Sequence, residues 1–213
     1  MSLLHDLPTR LVARMFQGVI AKGPAGGVYL TFDDGPDQMM TPQFLKALSD
    51  LNCPATFFLT GSKVSANSAL VRQIVDSGHT IGSHSFNHTS LLRANCNRLR
   101  LEITSSLNAI EATSGIRPTH FRPPYGRIWR KGCKVARELG LTTVLWSLSA
   151  NDWQAPSPST TASRIVDHVA DGDIILLHDS GKGAEATLKA LPMIVSGIRT
   201  KGFAFATLLG GRQ

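Results

Sequence analysis

Cysteine, acidic residues and long apolar runs are all scarce in this 213-residue sequence. The three cysteines, Cys53, Cys96 and Cys133, are odd in number and far apart, which excludes a disulfide framework and a CxxC zinc or redox site. No apolar run is long enough to span a bilayer. Bases outnumber acids by 22 to 15, for a net charge of +7. Because no RNP-like, zinc-finger or basic-helix pattern accompanies the bases, we expect no nucleic-acid partner.

The first 26 residues are predicted to form a short helix and a glycine-rich lead-in, separate from a single domain over residues 27–213. Apolar side chains recur at every fourth position of this helix: Leu7, Leu11, Met15 and Val19. We expect the stripe to pack on the domain, with peripheral membrane contact as the alternative. Two arginines interrupt the apolar residues, so the segment has no signal-peptide layout. The expected location is cytoplasmic or membrane-peripheral, with export left open for a protein whose native signal is missing.

From residue 28 onward, short apolar runs alternate with longer amphipathic ones. The predicted strands are 28–32, 55–59, 79–82, 119–122, 141–147, 173–177 and 203–207. The predicted helices lie near 41–51, 65–77, 94–113, 129–139, 159–170 and 184–200. Such alternation is typical of an α/β fold in which helical crossovers join parallel strands. No glycine-rich dinucleotide fingerprint follows the first strand, which favours a TIM-like (β/α) barrel of about seven strands over an open sheet. We expect a monomer.

Chemically reactive side chains collect just after five of these strands. They are Asp33 and Asp34, His84 and His88, Arg122 and Tyr125, Asp152 and Trp153, and His178 and Asp179. In a parallel α/β barrel, the carboxyl ends of the strands share one face, and that face carries the active site. The sequence therefore predicts one site built from all five strand ends.

Two histidines four residues apart can meet one metal ion, and a carboxylate from the Asp33-Asp34 pair completes a two-histidine, one-carboxylate set. Such a set suits catalytic zinc with open positions, or non-haem iron. The second aspartate is then free to act as a base. An arginine such as Arg122, in a turn fixed by two prolines, can bind a carboxylate through two parallel hydrogen bonds. His178 is either a core histidine or a proton donor oriented by an acid such as Asp152.

Together these motifs resemble the polysaccharide deacetylase family, the NodB-homology domain of carbohydrate esterase family 4. The matching stretches, in order, are Thr31-Phe32-Asp33-Asp34-Gly35, His84 to His88, Arg122 to Gly126, Asp152-Trp153 and Leu176-Leu177-His178. The resemblance implies a distorted (β/α) barrel with about seven strands and a catalytic domain over residues 27–213. It also implies a metal-dependent enzyme that removes N-acetyl groups from glycans containing N-acetylhexosamine.

The resemblance carries roles to individual positions. Asp34, His84 and His88 are expected to bind a divalent metal, zinc before cobalt or nickel. Asp33 is expected to be the general base and Arg122 its tether. Tyr125 would offer a backbone N–H to the oxyanion, and His178 would be the general acid oriented by Asp152. Trp153 and Leu176 would line a pocket for the acetyl methyl group. One departure is Ser149, which stands where the family often carries a second acid.

Several alternatives remain at this point. A deformylase or another amide hydrolase could use the same scaffold, and a non-catalytic carbohydrate-binding relative would be expected to lose the base or the acid. A non-haem iron oxygenase is disfavoured because it is usually built on a double-stranded β-helix. No G-x-S-x-G elbow indicates a serine hydrolase. The substrate stays open among peptidoglycan, chitin oligomers, poly-N-acetylglucosamine and lipid-linked sugars.

Overall fold

A curled parallel sheet organises residues 9–208, the part of the chain that our computed structural model describes. Its eight strands, β1 to β8, are Val19–Ile20, Tyr29–Asp33, Thr56–Leu59, Thr80–Ser83, His120–Phe121, Thr142–Val144, Leu148–Ser149 and Ile174–His178. They are ordered β1-β6-β5-β4-β3-β2-β8-β7, and neighbouring strands pair in parallel throughout. All the strands therefore end on one face, as the alternation of strands and helices predicted.

The sheet curls far enough for the segment after β1 to meet the segment before β8, although these strands lie near opposite ends of the sheet order. Lys22, just after β1, forms an antiparallel bridge with Asp173, just before β8. The Gly23 N–H donates to the Gly172 carbonyl oxygen over 2.9 Å. The result is an incomplete, distorted barrel, so the predicted fold class is confirmed.

Six of the seven predicted strands are present, with ends that differ by at most three residues. The seventh, 203–207, is wrong: it contributes only an isolated bridge between Phe205 and Val28. Two strands were not predicted, β1 and β7. Each is two residues long, which is too short to show the alternation of side chains by which a strand is recognised.

Eight helices connect and cover the strands in the described part of the chain. They are, from α1 to α8, Thr9–Met15, Thr41–Asp50, Gly61–Val64, Ser68–Asp76, Cys96–Ser114, Arg130–Glu138, Pro158–Val166 and Ala184–Thr200. Helix α5 shows how local sequence sets its ends. Asn95 accepts a hydrogen bond from the Arg98 N–H at the start, and Gly115 ends the helix with φ of 73°, a left-handed conformation that glycine adopts without steric cost.

The helix α1 does not bury the predicted apolar stripe. Leu11 and Met15 are exposed, Val19 belongs to β1, and Leu7 lies outside the described residues. Instead Val12, Ala13 and Phe16 pack against the core. Residues spaced by four drift about 40° per step around a helix, and α1 ends after seven residues. No helix among residues 9–208 is long and apolar enough to cross a membrane.

Alternate residues of strand β2 face two different regions, the apolar core between sheet and helices and the inside of the barrel. All five of its residues are buried, as expected where a parallel strand is covered on both faces. Leu30 and Phe32 belong to the main core between sheet and helices, where Phe32 stacks on Phe57 with ring centroids 5.2 Å apart. Thr31 and Asp33 alternate to the opposite face and both contact Arg122. Asp33 thus ends the strand pointing into the barrel.

Asp173 joins the start of β8 to the amino-terminal region. Its buried carboxylate accepts hydrogen bonds from the Ser147 hydroxyl and the Ala170 N–H, over 2.7 and 2.9 Å. Arg10 and Lys22 form ion pairs with it at 2.9 and 3.3 Å, from side chains that are about half exposed. This cluster holds α1 and the Lys22 segment against the start of β8.

We predict that Asp173→Ala lowers the free energy of unfolding by about 2–3 kcal/mol, because it leaves a buried N–H and a hydroxyl without their acceptor. Arg10→Ala removes only an exposed ion pair and should cost at most about 1 kcal/mol. Urea unfolding of both variants measures the difference. Equal losses in the two variants would contradict the assignment of Asp173 as the centre of the cluster.

Candidate metal centre and active site

Asp34, His84 and His88 bring three potential metal ligands together at the carboxyl ends of β2 and β4. One ligand atom from each residue lies within 4.8 Å of the other two. The Asp34 Oδ1 atom is 3.3 Å from the Nε2 of His84 and 2.9 Å from the Nε2 of His88. The set that the sequence pattern predicted is therefore assembled in one place.

The backbone turns sharply at two of these residues. Asp34 and His88 have φ of 73° and 53°, in the left-handed region that costs free energy for residues other than glycine. Adjacent residues on a regular strand point to opposite faces. Because β2 ends at Asp33 and the chain turns at Asp34, both carboxylates reach the same site. The Lys63 ammonium donates to the Asp34 carbonyl oxygen over 2.7 Å, which helps to hold this turn.

The donor atoms fit a divalent cation better than they fit one another. The Nδ1–H of His84 donates to the Arg122 carbonyl oxygen over 2.8 Å, so Nε2 is the ring nitrogen that faces Asp34. Among the described residues, the buried Asp34 Oδ1 accepts no hydrogen bond of normal geometry. Burial by itself raises the pKa of Asp34, but the two imidazoles outweigh it and hold that pKa well below its usual range. An ionised carboxylate and two imidazoles thus converge.

Asp33 is held by a fully buried arginine. Its Oδ1 atom accepts from the Arg122 guanidinium over 2.7 Å, and its Oδ2 atom faces the His84 Nε2 at 3.8 Å. Burial lowers the pKa of Arg122, and the neighbouring Asp33 carboxylate partly offsets this. One oxygen of Asp33 is therefore committed to the arginine, and the other is directed at the metal ligands.

Each guanidinium nitrogen of Arg122 donates at least one hydrogen bond. Its guanidinium also donates to the Thr31 hydroxyl over 2.7 Å and to the carbonyl oxygens of Val144 and Leu145 over 3.3 and 3.2 Å. Its carbon lies 4.1 Å from the centre of the Phe58 ring. A buried guanidinium with this many partners has a single orientation, and it fixes the orientation of Asp33.

His178 and Asp152 form a second pair beside Asp33. His178 ends β8 and is the direct strand partner of Asp33. The Nδ1 of its ring lies 2.8 Å from the Asp152 Oδ1. The Asp152 Oδ2 accepts hydrogen bonds from the backbone N–H of His178 and from the Thr187 hydroxyl. Burial lowers the pKa of His178, but the hydrogen bond and charge of Asp152, with Asp33 and Asp34, raise it to about 9. The imidazole is therefore protonated at neutral pH.

The remaining predicted residues border this group. Tyr125 has φ of 61°, and its exposed ring packs edge-on against His88 at 4.9 Å. In the turn that carries Tyr125, the backbone N–H groups of Gly126 and Arg127 donate to the carbonyl oxygens of Pro123 and Pro124.

On the other side of the site, the exposed Trp153 ring packs against His178 at 5.8 Å. Leu176 is buried on β8, two residues before His178 and hence on the same face of the strand.

The comparison with known sequences agrees with this geometry. A family model described as polysaccharide deacetylase matches residues 21–144. The chain is 37% identical to a peptidoglycan-N-acetylglucosamine deacetylase of Bacillus cereus, over 85% of each protein. It is 34% identical to a chitooligosaccharide deacetylase of Azorhizobium caulinodans, over 85% of this chain and 92% of that protein.

The chain belongs to the polysaccharide deacetylase family. Against the Listeria monocytogenes peptidoglycan deacetylase PgdA, at 34% identity, the aligned region spans 38% of the relative's length.

Solved structures in the same family share the fold. The crystal structure of the Bc1960 peptidoglycan N-acetylglucosamine deacetylase superposes with a TM-score of 0.88 at 33% identity, covering 95% of both chains. A family 4 pseudoenzyme from Bacillus anthracis superposes with a TM-score of 0.83 at 25% identity, covering 89% of this chain and 66% of its own. Since a pseudoenzyme has this fold, activity depends on which residues occupy the site.

In this polysaccharide deacetylase, Ser149 stands where the family often carries a second acid, and its contacts are with neighbouring residues. Ser149 belongs to β7, where it pairs with Leu176, and its hydroxyl accepts from the Asn151 N–H over 3.1 Å. The acid side retains a complete shell without a second carboxylate, because Thr187 supplies a hydroxyl to Asp152. Thr187 lies on α8, far along the chain from the motif, and no sequence pattern singled it out.

Asp179 was noted in the sequence only as the neighbour of His178. In the structure it is fully buried beneath the Asp34 turn, and it accepts a hydrogen bond from the Thr41 hydroxyl. A Cβ on Gly35 would lie 2.6 Å from both Asp179 carboxylate oxygens, so this approach requires glycine. Burial raises the pKa of Asp179 to about 7, against the hydrogen bond from Thr41 that lowers it.

We predict that Asp179→Asn stabilises the metal-free protein at pH 8 by an amount on the order of 1–4 kcal/mol. A carboxyl whose folded pKa of about 7 exceeds its unfolded value destabilises the fold progressively as pH rises from about 4 to about 7. Asparagine removes that penalty and keeps an acceptor for Thr41. Urea unfolding in chelator at pH 4.5 and pH 8 measures it, and a gain of equal size at both pH values would contradict it.

Proposed function

We propose that this chain is a metal-dependent N-deacetylase, which hydrolyses the acetamide of N-acetylhexosamine units in a glycan to an amine and acetate. The observation that carries the proposal is the pairing of Asp33 with His178 on adjacent strands, beside the cluster of Asp34, His84 and His88. A carboxylate held by arginine and a protonated imidazole thus flank one candidate metal site. Water activation and leaving-group protonation need such a combination.

The candidate ligands Asp34, His84 and His88 favour zinc, because two histidines and a carboxylate leave open positions for water and substrate. When bound, a divalent metal ion polarises the acetamide carbonyl and lowers the pKa of water toward ~7.

Asp33 accepts a proton through its free oxygen, Oδ2, from the water that attacks the acetyl carbon. Arg122 holds the other oxygen, so the carboxylate does not rotate away. As the carbon–oxygen bond forms, negative charge develops on the former carbonyl oxygen. In this proposal the Tyr125 backbone N–H donates to that oxygen, and one such donor typically contributes ~3 kcal/mol.

His178 completes the reaction on the other side. Its imidazolium gives a proton to the nitrogen as the carbon–nitrogen bond breaks, since an amine leaves readily only when protonated. Asp152 orients the ring through Nδ1 and stabilises its charged form. Leu176 and Trp153 border the position of the acetyl methyl group.

The relatives narrow the choice of glycan substrate. Named relatives act on peptidoglycan and on chitooligosaccharides, and both substrates carry the N-acetylhexosamine that the proposal needs. A deformylase on the same scaffold is the nearest alternative, because formamide and acetamide hydrolysis need the same groups. A non-catalytic binding protein is the other, and against it stands the presence of both a base and an acid candidate here.

An acetate-release assay tests the proposal. The zinc-loaded protein should release acetate from peptidoglycan, chitin oligomers or poly-N-acetylglucosamine, lose this activity in chelator and regain it with metal. Formate release from N-formylated sugars, with no acetate from any N-acetylated glycan, would favour the deformylase. Binding of glycans without release of either acid would favour the non-catalytic reading.

We predict that Asp33→Asn keeps metal binding but loses turnover by about 10²–10⁴-fold, because asparagine cannot accept the proton. His84→Ala should lose both, since it removes a ligand. Zinc content and acetate release are measured side by side, with the exposed Asp76→Asn and His168→Ala as matched controls expected to resemble wild type. Full turnover in Asp33→Asn would overturn the base assignment.

We predict that Asp152→Asn shifts the alkaline limb of the pH profile of kcat/KM to lower pH. The acid His178 works while protonated, that is below its pKa of about 9, and removing the Asp152 charge lowers that pKa. Thr187→Val, which removes only a hydroxyl donor to Asp152, should leave the limb nearly in place. An unmoved limb in Asp152→Asn would contradict the role of His178 as acid.

A further inference from the structure

Two segments of the chain that border the active site contain bases but no acids. Residues 77–101 and 112–137 contain no aspartate or glutamate. These segments include the loops that follow β4 and β5, which carry His84, His88, Arg122 and Tyr125. Part of the net charge of +7 is therefore carried by these two segments.

The two loops meet at a groove of about 160 Å³, which we call the basic groove; Arg93, Trp129 and Lys131 are among its lining residues. Arg93 and Lys131 are exposed, as are the neighbouring Arg127 and Arg130. Within residues 9–208, none of these four cations lies within 4 Å of a carboxylate. Unpaired like charges repel one another, so an anion bound among them would relieve that repulsion.

Nearby bases that are not at the groove do have partners. Arg98 pairs with Glu102, and Arg100 and Lys134 both pair with Glu138. Glu102 is further occupied by two hydrogen bonds from Asn87. The acids of this region are thus engaged away from the groove, and its cations face solvent uncompensated.

The basic groove lies within reach of the metal ligands. The Arg127 guanidinium is 5.9 Å from the Tyr125 ring, which in turn is 4.9 Å from the His88 ring. Arg93 follows His88 by five residues, so their Cα atoms are at most ~18 Å apart. A glycan whose acetamide sits at Asp33 can therefore place a neighbouring unit against the cations.

We propose that the basic groove binds an anionic group, a carboxylate or a phosphate, carried by the glycan near the unit that is deacetylated. The inference rests on the proposed function and narrows its substrate class to anionic glycans. Arg93 and Lys131 supply the charge, and guanidinium and ammonium both bind anionic oxygens in water. Binding at this distance from the chemistry acts on substrate affinity and leaves the catalytic step unchanged.

The test uses the zinc-loaded protein and the double variant Arg93→Gln/Lys131→Gln, with Lys201→Gln as the matched control. Lys201 is exposed and without an ion pair within residues 9–208, beyond the end of α8. Four substrates separate the chemistries. They are a neutral chitin oligomer, a peptidoglycan oligosaccharide with free carboxylates, the same oligosaccharide with its carboxylates amidated, and peptidoglycan bearing a phosphodiester polymer.

We expect the double variant to raise KM about fivefold on an anionic substrate, with kcat unchanged, because two exposed charge contacts are lost. The neutral and amidated substrates should show no such change, and added salt should remove the difference. An effect confined to the carboxylate substrate or to the phosphate substrate identifies the anion. Lys201→Gln should behave as wild type on all four.

The same shift in KM on neutral and anionic substrates, or none on either anionic substrate, would overturn the inference. These outcomes leave the deacetylase assignment intact, since the wild type would still release acetate. Failure of the proposed function looks different: no acetate from any of the four substrates with the wild-type protein. If the double variant loses kcat as well, the single variants Arg93→Gln and Lys131→Gln are compared by thermal unfolding, and a loss of kcat in a folded single variant contradicts the inference.

Discussion

The ion pair between Arg122 and Asp33 is the interaction around which the site is built. A guanidinium with no exposed surface would be strongly destabilising without partners, and here it has a carboxylate, a hydroxyl and two carbonyl oxygens. These partners come from β2, from the last residue of β6 and from the residue that follows it, so the pair also ties together strands on different sides of the barrel. The carbonyl oxygen of the same arginine orients His84. One residue thus positions both the candidate base and a candidate metal ligand.

The barrel explains why chemically unequal roles fall to adjacent aspartates. Asp33 is the last residue of β2 and points inward to Arg122, whereas Asp34 begins the turn and points to the histidines. Gly35 allows that turn to lie directly on Asp179, and Lys63 holds the Asp34 carbonyl oxygen. The two acids contact different partners, since Asp33 pairs with Arg122 and Asp34 contacts the two histidines with which it would hold a metal ion. On the far side, the strand pairing of Asp33 with His178 brings the proton donor into the same space.

Much of this could be predicted from the sequence because the signals were local. Strands such as β2 and β8 are continuous apolar runs that end in reactive residues, and their parallel arrangement puts those residues on one face. The parts that were missed depend on contacts distant in sequence. Thr187 reaches Asp152 from α8, Thr41 reaches Asp179 from α2, and the two-residue strands β1 and β7 exist only through pairing with longer neighbours. The stripe of Leu11 and Met15 was misassigned because the helix ended before the four-residue spacing could define a face.

The central claim is the division of labour between Asp34 as metal ligand and Asp33 as base. Anomalous diffraction from crystals of the zinc-loaded protein, collected on both sides of the metal's absorption edge, tests it most directly. The account predicts one peak at ~2.0–2.2 Å from an Asp34 carboxylate oxygen and from the Nε2 atoms of His84 and His88, with Asp33 still bound to Arg122. A peak coordinated by Asp33 in place of Asp34, or one outside this triad, would contradict it.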